Sequence, residues 1–375
     1  MNTEHGAEQV ETVIIGAGQA GLATGFHLAR RDRQFIIVDA NARVGDNWRC
    51  HWDSLRLYSP ARVASLPGMR FPAPPVSYPT KDEMADFLEV YAKTFGLPVR
   101  TGVRVTRVCR EDGRYVVATD NASSIVCDNV VVASGTFGRT PYVPVFADQL
   151  HPSIVQMHSS AYKNPAQLRP GGVLVVGASH SGGDIAYEAG SAGHPTVLSG
   201  RIHGEVPFDI EGRPAHTIFP VLYFLAQHLL TIRTPIGRRL RPQIRAHGGP
   251  LIRVKRADLA RVGVEMVPER TVGVSDGLPV LDGGRTLDVA NVVWCTGFRQ
   301  DFSWIDAPVT GEDGWPVEVR GVVPSSPGLY FVGLAFQYAF ASMLIGGAGR
   351  DAEHVVKQLT GTTAARRRPV PKVPA

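Results

Sequence analysis

Two glycine-rich loops, about one domain apart, are the stretches of this chain whose residue types and spacing point to chemistry. The first, VETVIIGAGQAGL, sets Gly16, Gly18 and Gly21 in G-x-G-x-x-G spacing directly after an apolar run. The second, GGVLVVGASHSGGDIA, repeats the pattern with Gly177, Ser179 and Gly182. In such a loop the first glycine makes a tight turn and the second lets backbone approach a pyrophosphate. The third lets the next helix pack closely on the strand, with its N-terminal amides and positive dipole end facing the phosphates. One loop holds one nucleotide. Two imply a pair of cofactors that exchange electrons.

The flanking elements support both loops. Val13 to Ile15 is a β-branched run that predicts a buried parallel strand, and Gln19 to about Arg30 predicts the helix. A second strand, FIIVDA, ends near Asp39, at roughly the 20-residue offset of a carboxylate that binds a ribose hydroxyl. The second copy is again strand, loop and helix, followed by TVLSGR. Its central glycine is Ser179, whose hydroxyl could donate to a phosphate, and Ser199, Gly200 and Arg201 stand where the first copy has its acid. An acid there would repel a 2′-phosphate and an arginine would attract it, which predicts FAD on the first unit and NADPH on the second. A plain surface arginine is the alternative reading of Arg201. Gly177 to Ser181 also resembles the G-x-S-x-G elbow of hydrolases, but Ser181 stands where that elbow needs glycine.

Composition bounds the rest. The 375 residues suffice for two domains, and 44% hydrophobic with 19% charged residues describes an ordinary globular protein. A net charge of +5 suits anionic cofactors, and no basic face with stacking aromatics suggests nucleic acid. Cys50, Cys109, Cys127 and Cys295 form no C-x-x-C pair and match no zinc pattern. They argue for a reducing, cytoplasmic setting and against a dithiol relay or a metal site. The N-terminus is polar until Val13, so no signal peptide is expected. IFPVLYFLAQHLLTI, from Ile218, is too short and interrupted for a transmembrane span and predicts a buried or interface helix. A tunnel lid or a surface membrane contact are its minority readings, and RRLRPQIR (Arg238 to Arg245) predicts a solvated helix face or an interface.

The expected fold is α/β, with two Rossmann-like, doubly wound, three-layer dinucleotide-binding domains. Residues 1–150 and 290–363 make a discontinuous FAD domain, 151–289 an NADPH domain with a helical insert, and 364–375 a disordered tail. Within the first, EMADFLEVYAKTFG predicts an amphipathic helix and VRVTRV with RYVVAT a small meander. VVVASGTFG, NVVWCTGF and GLYFVGL are all expected to return to the flavin sheet, and Phe302 and Trp304 to pack at the domain interface.

Together these residues resemble the class B flavoprotein monooxygenases, which include flavin-containing, YUCCA-type and Baeyer–Villiger enzymes, and most of all a YUCCA-like bacterial branch. The resemblance rests on GAGQAGL, RVGDNWR, YPTK, ASGTFGRTPYVP, MHSSAYKNP, VVGASHSGG, CTGF and PGLYFVGL, and runs from about residue 10 to 360. The family pattern F-x-G-x-x-x-H-x-x-x-(F/Y) is half present. His158 and Tyr162 match it, whereas Pro152 and Ile154 stand where Phe and Gly belong. Asp46 and Asn47 interrupt the usual Gly-Gly before Trp48.

The resemblance implies that NADPH reduces FAD, and that reduced flavin and O2 give a flavin (hydro)peroxide that oxygenates a small organic substrate. An NAD(P)H-dependent flavin reductase or oxidase that makes hydrogen peroxide or passes electrons to another acceptor is the alternative, a non-catalytic flavoprotein is a third reading, and a homodimer is left open. The implied cofactor contacts are Gly16, Gly18, Gln19, Ala20, Gly21, Asp39, Trp48, Val105 and Gly135 for FAD. Gly177, Ser179, Ser181, Gly182 and Arg201 serve NADPH, with Gly297 in the turn after CTG. His158, Lys81 and Gln337 are the catalytic candidates, each also readable as a structural residue. A helix starting near Ser342 is expected to aim at the flavin.

Overall fold

The computed structural model of the protein describes residues 8–136, 140–246 and 248–366. Strands are β1 (Glu8–Ile15), β2 (Phe35–Val38), β3 (Val99–Arg100), β4 (Val105–Glu111), β5 (Arg114–Thr119), β6 (Ser124–Val132), β7 (Thr140–Pro141), β8 (Val155–His158), β9 (Val173–Val176), β10 (Thr196–Ser199), β11 (Glu265–Val267), β12 (Thr271–Ser275), β13 (Leu278–Leu281), β14 (Asn291–Trp294), β15 (Phe298–Arg299) and β16 (Leu329–Phe331). Helices are α1 (Gln19–Ala29), α2 (Asp46–Arg49), α3 (Lys81–Thr94), α4 (His180–Ser191), α5 (Arg213–His228), α6 (Pro235–Ala246), α7 (Arg256–Arg261) and α8 (Ile345–Arg366).

Two sheets organise these elements. The first has seven strands, with β3, β2, β1, β6 and β16 parallel and the β4–β5 hairpin on the early part of β6. The second has five parallel strands in the order β11-β10-β9-β14-β8. FIIV, VLVV and NVVW are buried at every position, as strands covered on both faces must be.

Alternate residues supply opposite faces. Ile14, Ile37, Val131 and Val332 pack under α1, α3 and α8, while Val13, Ile36, Val130 and Phe331 pack with the hairpin and with Phe302 and Trp304. Small residues bring α1 close to the sheet: a Cβ on Gly25 would stand 2.9 Å from the Ile37 side chain. In the second sheet, Val173, Val175 and Val293 face α4 and α7, and Leu174, Val176 and Trp294 face the chain around Leu281 to Val289.

Four expectations change. NVVW (β14) belongs to the second sheet, between β8 and β9, and does not return to the first. Phe302 and Trp304 lie in the core of the first sheet instead of between the units; Phe302 meets the edge of Phe331 with centroids 5.3 Å apart. The apolar helix α5 buries only Ala215 and Ala226, leaving Val221 and Phe224 exposed. The C-terminal helix continues to Arg366, past the expected start of a tail at 364, and residues 367–375 lie outside the described residues, as does Gly138 of VVVASGTFG.

Phe331 is fully buried between β6 and the residues packed on its face, so truncation opens a cavity. Phe331→Ala is expected to cost about 3–5 kcal/mol of unfolding free energy in denaturant titrations, against less than about 0.5 kcal/mol for Val145→Ala at an exposed site.

Candidate functional site

The two glycine loops share the backbone bonds that tie each to its neighbouring strands. Gly16 N–H donates to Val38 O and Gly177 N–H to Ser199 O, each at 2.8 Å. Ala133 N–H donates to Ile15 O and Cys295 N–H to Val176 O, again at 2.8 Å. Gly18 and Ser179 are the N-caps of α1 and α4, neither with a side-chain cap. Gly16 and Gly177 have φ of 110° and 107°, where a side chain is strained. A Cβ on Gly21 would overlap Gly16 O, and one on Gly182 would overlap Gly177 O. Each helix can therefore start directly over its strand only because these positions are bare.

The neighbours complete the first cradle. Gly333 approaches Ala20 so closely that a Cβ would sit 2.7 Å from the alanine methyl. Gly135, with φ of 79°, precedes Thr136, whose hydroxyl accepts from Ala335 N–H at 2.7 Å and donates to Gly333 O. A Cβ on Gly18 would meet only the Asn47 amide, at an ordinary contact distance of 3.7 Å. Asp39 follows β2 and turns back on the loop: its Oδ2 accepts from Ala17 N–H at 2.6 Å and its Oδ1 from Asn41.

The second cradle differs at one decisive place. Val38 and Ser199 occupy equivalent positions, so Gly200 stands where Asp39 stands in the first. A Cβ on Gly200 would come 3.5 Å from Ala178 N, the counterpart of the amide that Asp39 binds. Arg201 follows, exposed and without a hydrogen-bond or ion-pair partner among the described residues. The Ser179 hydroxyl, expected to face a phosphate, donates instead to Gly249 O at 2.9 Å, so Gly248 and Gly249 lie across this loop. Ser181 stands in the first turn of α4.

A segment of the first unit clamps the second. Tyr58 donates to Asp184 on α4 at 2.8 Å, and Ser54 donates to Glu188 on the same helix. Tyr162 also donates to Glu188, at 2.9 Å, and Trp52 and Leu55 enter the core beneath α4. Trp48 packs against the cores of both units, and its buried indole Nε1 has no partner among the described residues.

The catalytic candidates are drawn into the framework. His158 ends β8, accepts at Nδ1 from Ser160 N–H (3.2 Å) and therefore donates from Nε2 to Gly297 O (2.9 Å). It ties β8 to the turn after β14, and burial pushes its pKa below the usual histidine value. Gln337 is fully buried; its nitrogen donates to Phe331 O and its oxygen accepts from Leu334 N–H, so it braces the turn after β16 and presents nothing to a substrate. Lys81 opens α3 beneath the Thr80–Glu83 capping box, and its buried ammonium donates to Arg49 O at 3.3 Å and Asp82 at 3.1 Å. Val105 opens β4 with its side chain in the core beside Val38. The α-helix expected near Ser342 begins at Ile345, after a 3-10 turn over Phe340–Met343.

Residues 13–206 match the model of the family described as pyridine nucleotide-disulphide oxidoreductase. The chain belongs to that family. Within it, this oxidoreductase stands in the class B flavin monooxygenase group, as its motifs imply. It is 39% identical over 351 residues to a Geobacillus kaustophilus protein named uncharacterized oxidoreductase CzcO-like, covering 93% of this chain and 98% of that one. It is 25% identical over 388 residues to Indole-3-pyruvate monooxygenase YUCCA6 of Arabidopsis thaliana, covering 92% and 89%. The structure of a flavin-containing monooxygenase from Stenotrophomonas maltophilia superposes with a TM-score of 0.76 at 27% identity, covering 95% of this chain and 99% of that one.

The thiols of this oxidoreductase do not form the relay that the family's name suggests. All four cysteines are free, three are buried, and burial pushes Cys295, beside the second loop, up to about 12.

Its histidines set a pH dependence. Burial pushes His180 down to about 4, and burial with Lys163 and Lys81 nearby does the same for His51. Folded, both stay neutral; unfolded, both protonate below about 6.5, so the unfolded state binds more protons as pH falls. Their stabilisation is whole above about pH 6.5 and is lost toward pH 4, by at most about 3 kcal/mol each. Chemical denaturation at pH 7 and pH 4.5 should show this loss, and His180→Asn should shrink it; an unchanged pH slope in that variant contradicts the assignment.

Proposed function

We propose that this oxidoreductase is an FAD-dependent, NADPH-consuming monooxygenase acting on a small organic substrate with O2. FAD belongs on the first loop, whose bare Gly18 and turned-back Asp39 suit a pyrophosphate and a ribose. NADPH belongs on the second. The FAD domain is then the first sheet, discontinuous around residues from about 151 to 297, which carry the second sheet and its insert.

The observation that carries this reading is the exchange of Asp39 for Gly200 between two cradles that share the same loop backbone bonds. Removing the carboxylate frees both the space and the charge at the ribose position, and the unpartnered Arg201 beside it supplies a cation for a 2′-phosphate. When bound, the flavin would accept hydride from NADPH and use O2 to oxygenate the substrate. The chain's own part is positional. Gly16 to Gly21 and Gly177 to Gly182 aim α1 and α4 at the phosphates. The Ser54 and Tyr58 contacts to α4 fix one loop relative to the other, and Trp48 sits at that junction with an indole N–H that has no partner among the described residues. Ser179 reaches a phosphate only if it exchanges Gly249 O for it.

Gly200→Asp and Arg201→Ala should each raise the NADPH Michaelis constant at least tenfold while leaving that for NADH within about twofold. Equal effects on both nucleotides contradict the phosphate assignment. Arylalkyl ketones, indolic acids, amines and sulfides should be screened for substrate-stimulated NADPH consumption with matched oxygenated product. Consumption that yields hydrogen peroxide, with no product from any class, favours the reductase or oxidase reading.

A further inference from the structure

The insert between β10 and β11 carries a surface that neither cradle uses. Helix α5 docks on the first unit along one side. Ala215 and Ala226 are buried, Tyr223 lies against Gly346, and Gln227 O accepts from Arg350 at 2.9 Å. Its other side is apolar and exposed: Val221 is 58% and Phe224 60% accessible, with Ile218 and Leu222 beside them. The turn into α6 is tight. Thr234 donates to Leu229 O and Thr231 O, and a Cβ on Gly237 would overlap the Thr231 backbone. Leu229 and Ile236, both exposed, are thereby held at the shared end of the two helices.

Charge sets the same segment apart. Residues 212–257 contain nine arginines and lysines and not one aspartate or glutamate, in a chain whose net charge is only +5. Some of these cations are already used: Arg241 and Arg245 hold Glu318, and Arg253 holds Glu211. Arg213, Arg233, Arg238 and Arg239 are exposed, and none has a carboxylate partner among the described residues. An exposed apolar helix joined to cations without carboxylate partners is the pattern that binds an anionic bilayer surface.

We propose that α5 and the start of α6 form an interfacial anchor for an anionic lipid bilayer. Ile218, Val221, Leu222 and Phe224 enter the boundary between headgroups and acyl chains, while Arg238 and Arg239 pair with lipid phosphates. The helix lies on the membrane; no described helix is long and apolar enough to cross one. A second copy of the chain fits less well, because pairing this segment with its own copy would bring nine cations up to nine more with no acid in either segment to answer them.

Co-sedimentation of the full-length protein with vesicles tests this, using phosphatidylcholine alone and phosphatidylcholine with phosphatidylglycerol. The anchor predicts at least roughly tenfold stronger binding to the anionic vesicles, weakened by high salt. R238E/R239E should reduce it by roughly tenfold or more, and V221S/F224S by several-fold, with the V221S/F224S melt unchanged because both sites are exposed; R239E alone, which leaves the Arg238 bond to Arg233 O in place, should weaken binding in the same direction. Absent binding, equal binding to neutral vesicles, or binding untouched by R238E/R239E would overturn the proposal. So would sedimentation equilibrium showing a dimer that V221S/F224S dissolves, which would assign the patch to a second copy.

Discussion

A helix can aim its first amides at a phosphate from directly above a strand only if nothing stands between helix and strand. Here that condition is met twice, at Gly16 with Gly21 and at Gly177 with Gly182, where a single methyl would overlap a carbonyl oxygen. The surrounding architecture serves these two contacts. In each unit the loop strand is central, flanked by one parallel strand that accepts from the loop's first amide and another that roofs the turn. Ala133 does the roofing in one unit and Cys295 in the other, and the loop glycine must be bare because a Cβ on Gly16 would come 2.5 Å from Ala133 O and one on Gly177 would overlap Cys295 O.

Two equal cradles would bind two equal ligands, so their differences matter more than their likeness. Asp39 gives the first a carboxylate that points at its own loop; Gly200 leaves the second bare, with Arg201 beside it. The units are then locked in orientation through α4, whose Asp184 and Glu188 receive the Tyr58 and Ser54 hydroxyls from the first unit. Burial raises Asp184 to about 6, while the Tyr58 hydrogen bond and Arg253 pull it back down. A buried carboxyl of this kind is kept where its partners are fixed, which makes this helix a sound mounting for the second loop.

The sequence was most legible where chemistry is written in backbone. Both loops, their helices, the meander and the two-sheet plan follow from glycine spacing and apolar runs. The misassignment of Asn291–Trp294 has a physical cause: VVVASGTFG and NVVWCTGF look alike because they are the same roofing strand, one for each sheet. A strand buried on both faces carries no mark of which sheet it joins. Side chains were harder to read. Gln337, Lys81 and His158 are polar residues near motifs, and only the structure shows their polar atoms spent on Phe331, Arg49 and Gly297. Tyr162 and His158, the matched half of the family pattern, prove to be ties between segments. The outward face of α5 was hidden for the opposite reason, since apolar residues in a helix usually imply cover.

Anaerobic titration of the purified protein with NADPH, followed by its flavin absorbance, tests the paired-cradle account most directly. Paired cradles require a yellow protein that one equivalent of NADPH bleaches, and a Gly182→Val variant that keeps its colour but no longer bleaches. A colourless protein that takes up no flavin on reconstitution, or a yellow one that NADPH leaves oxidised, would contradict it.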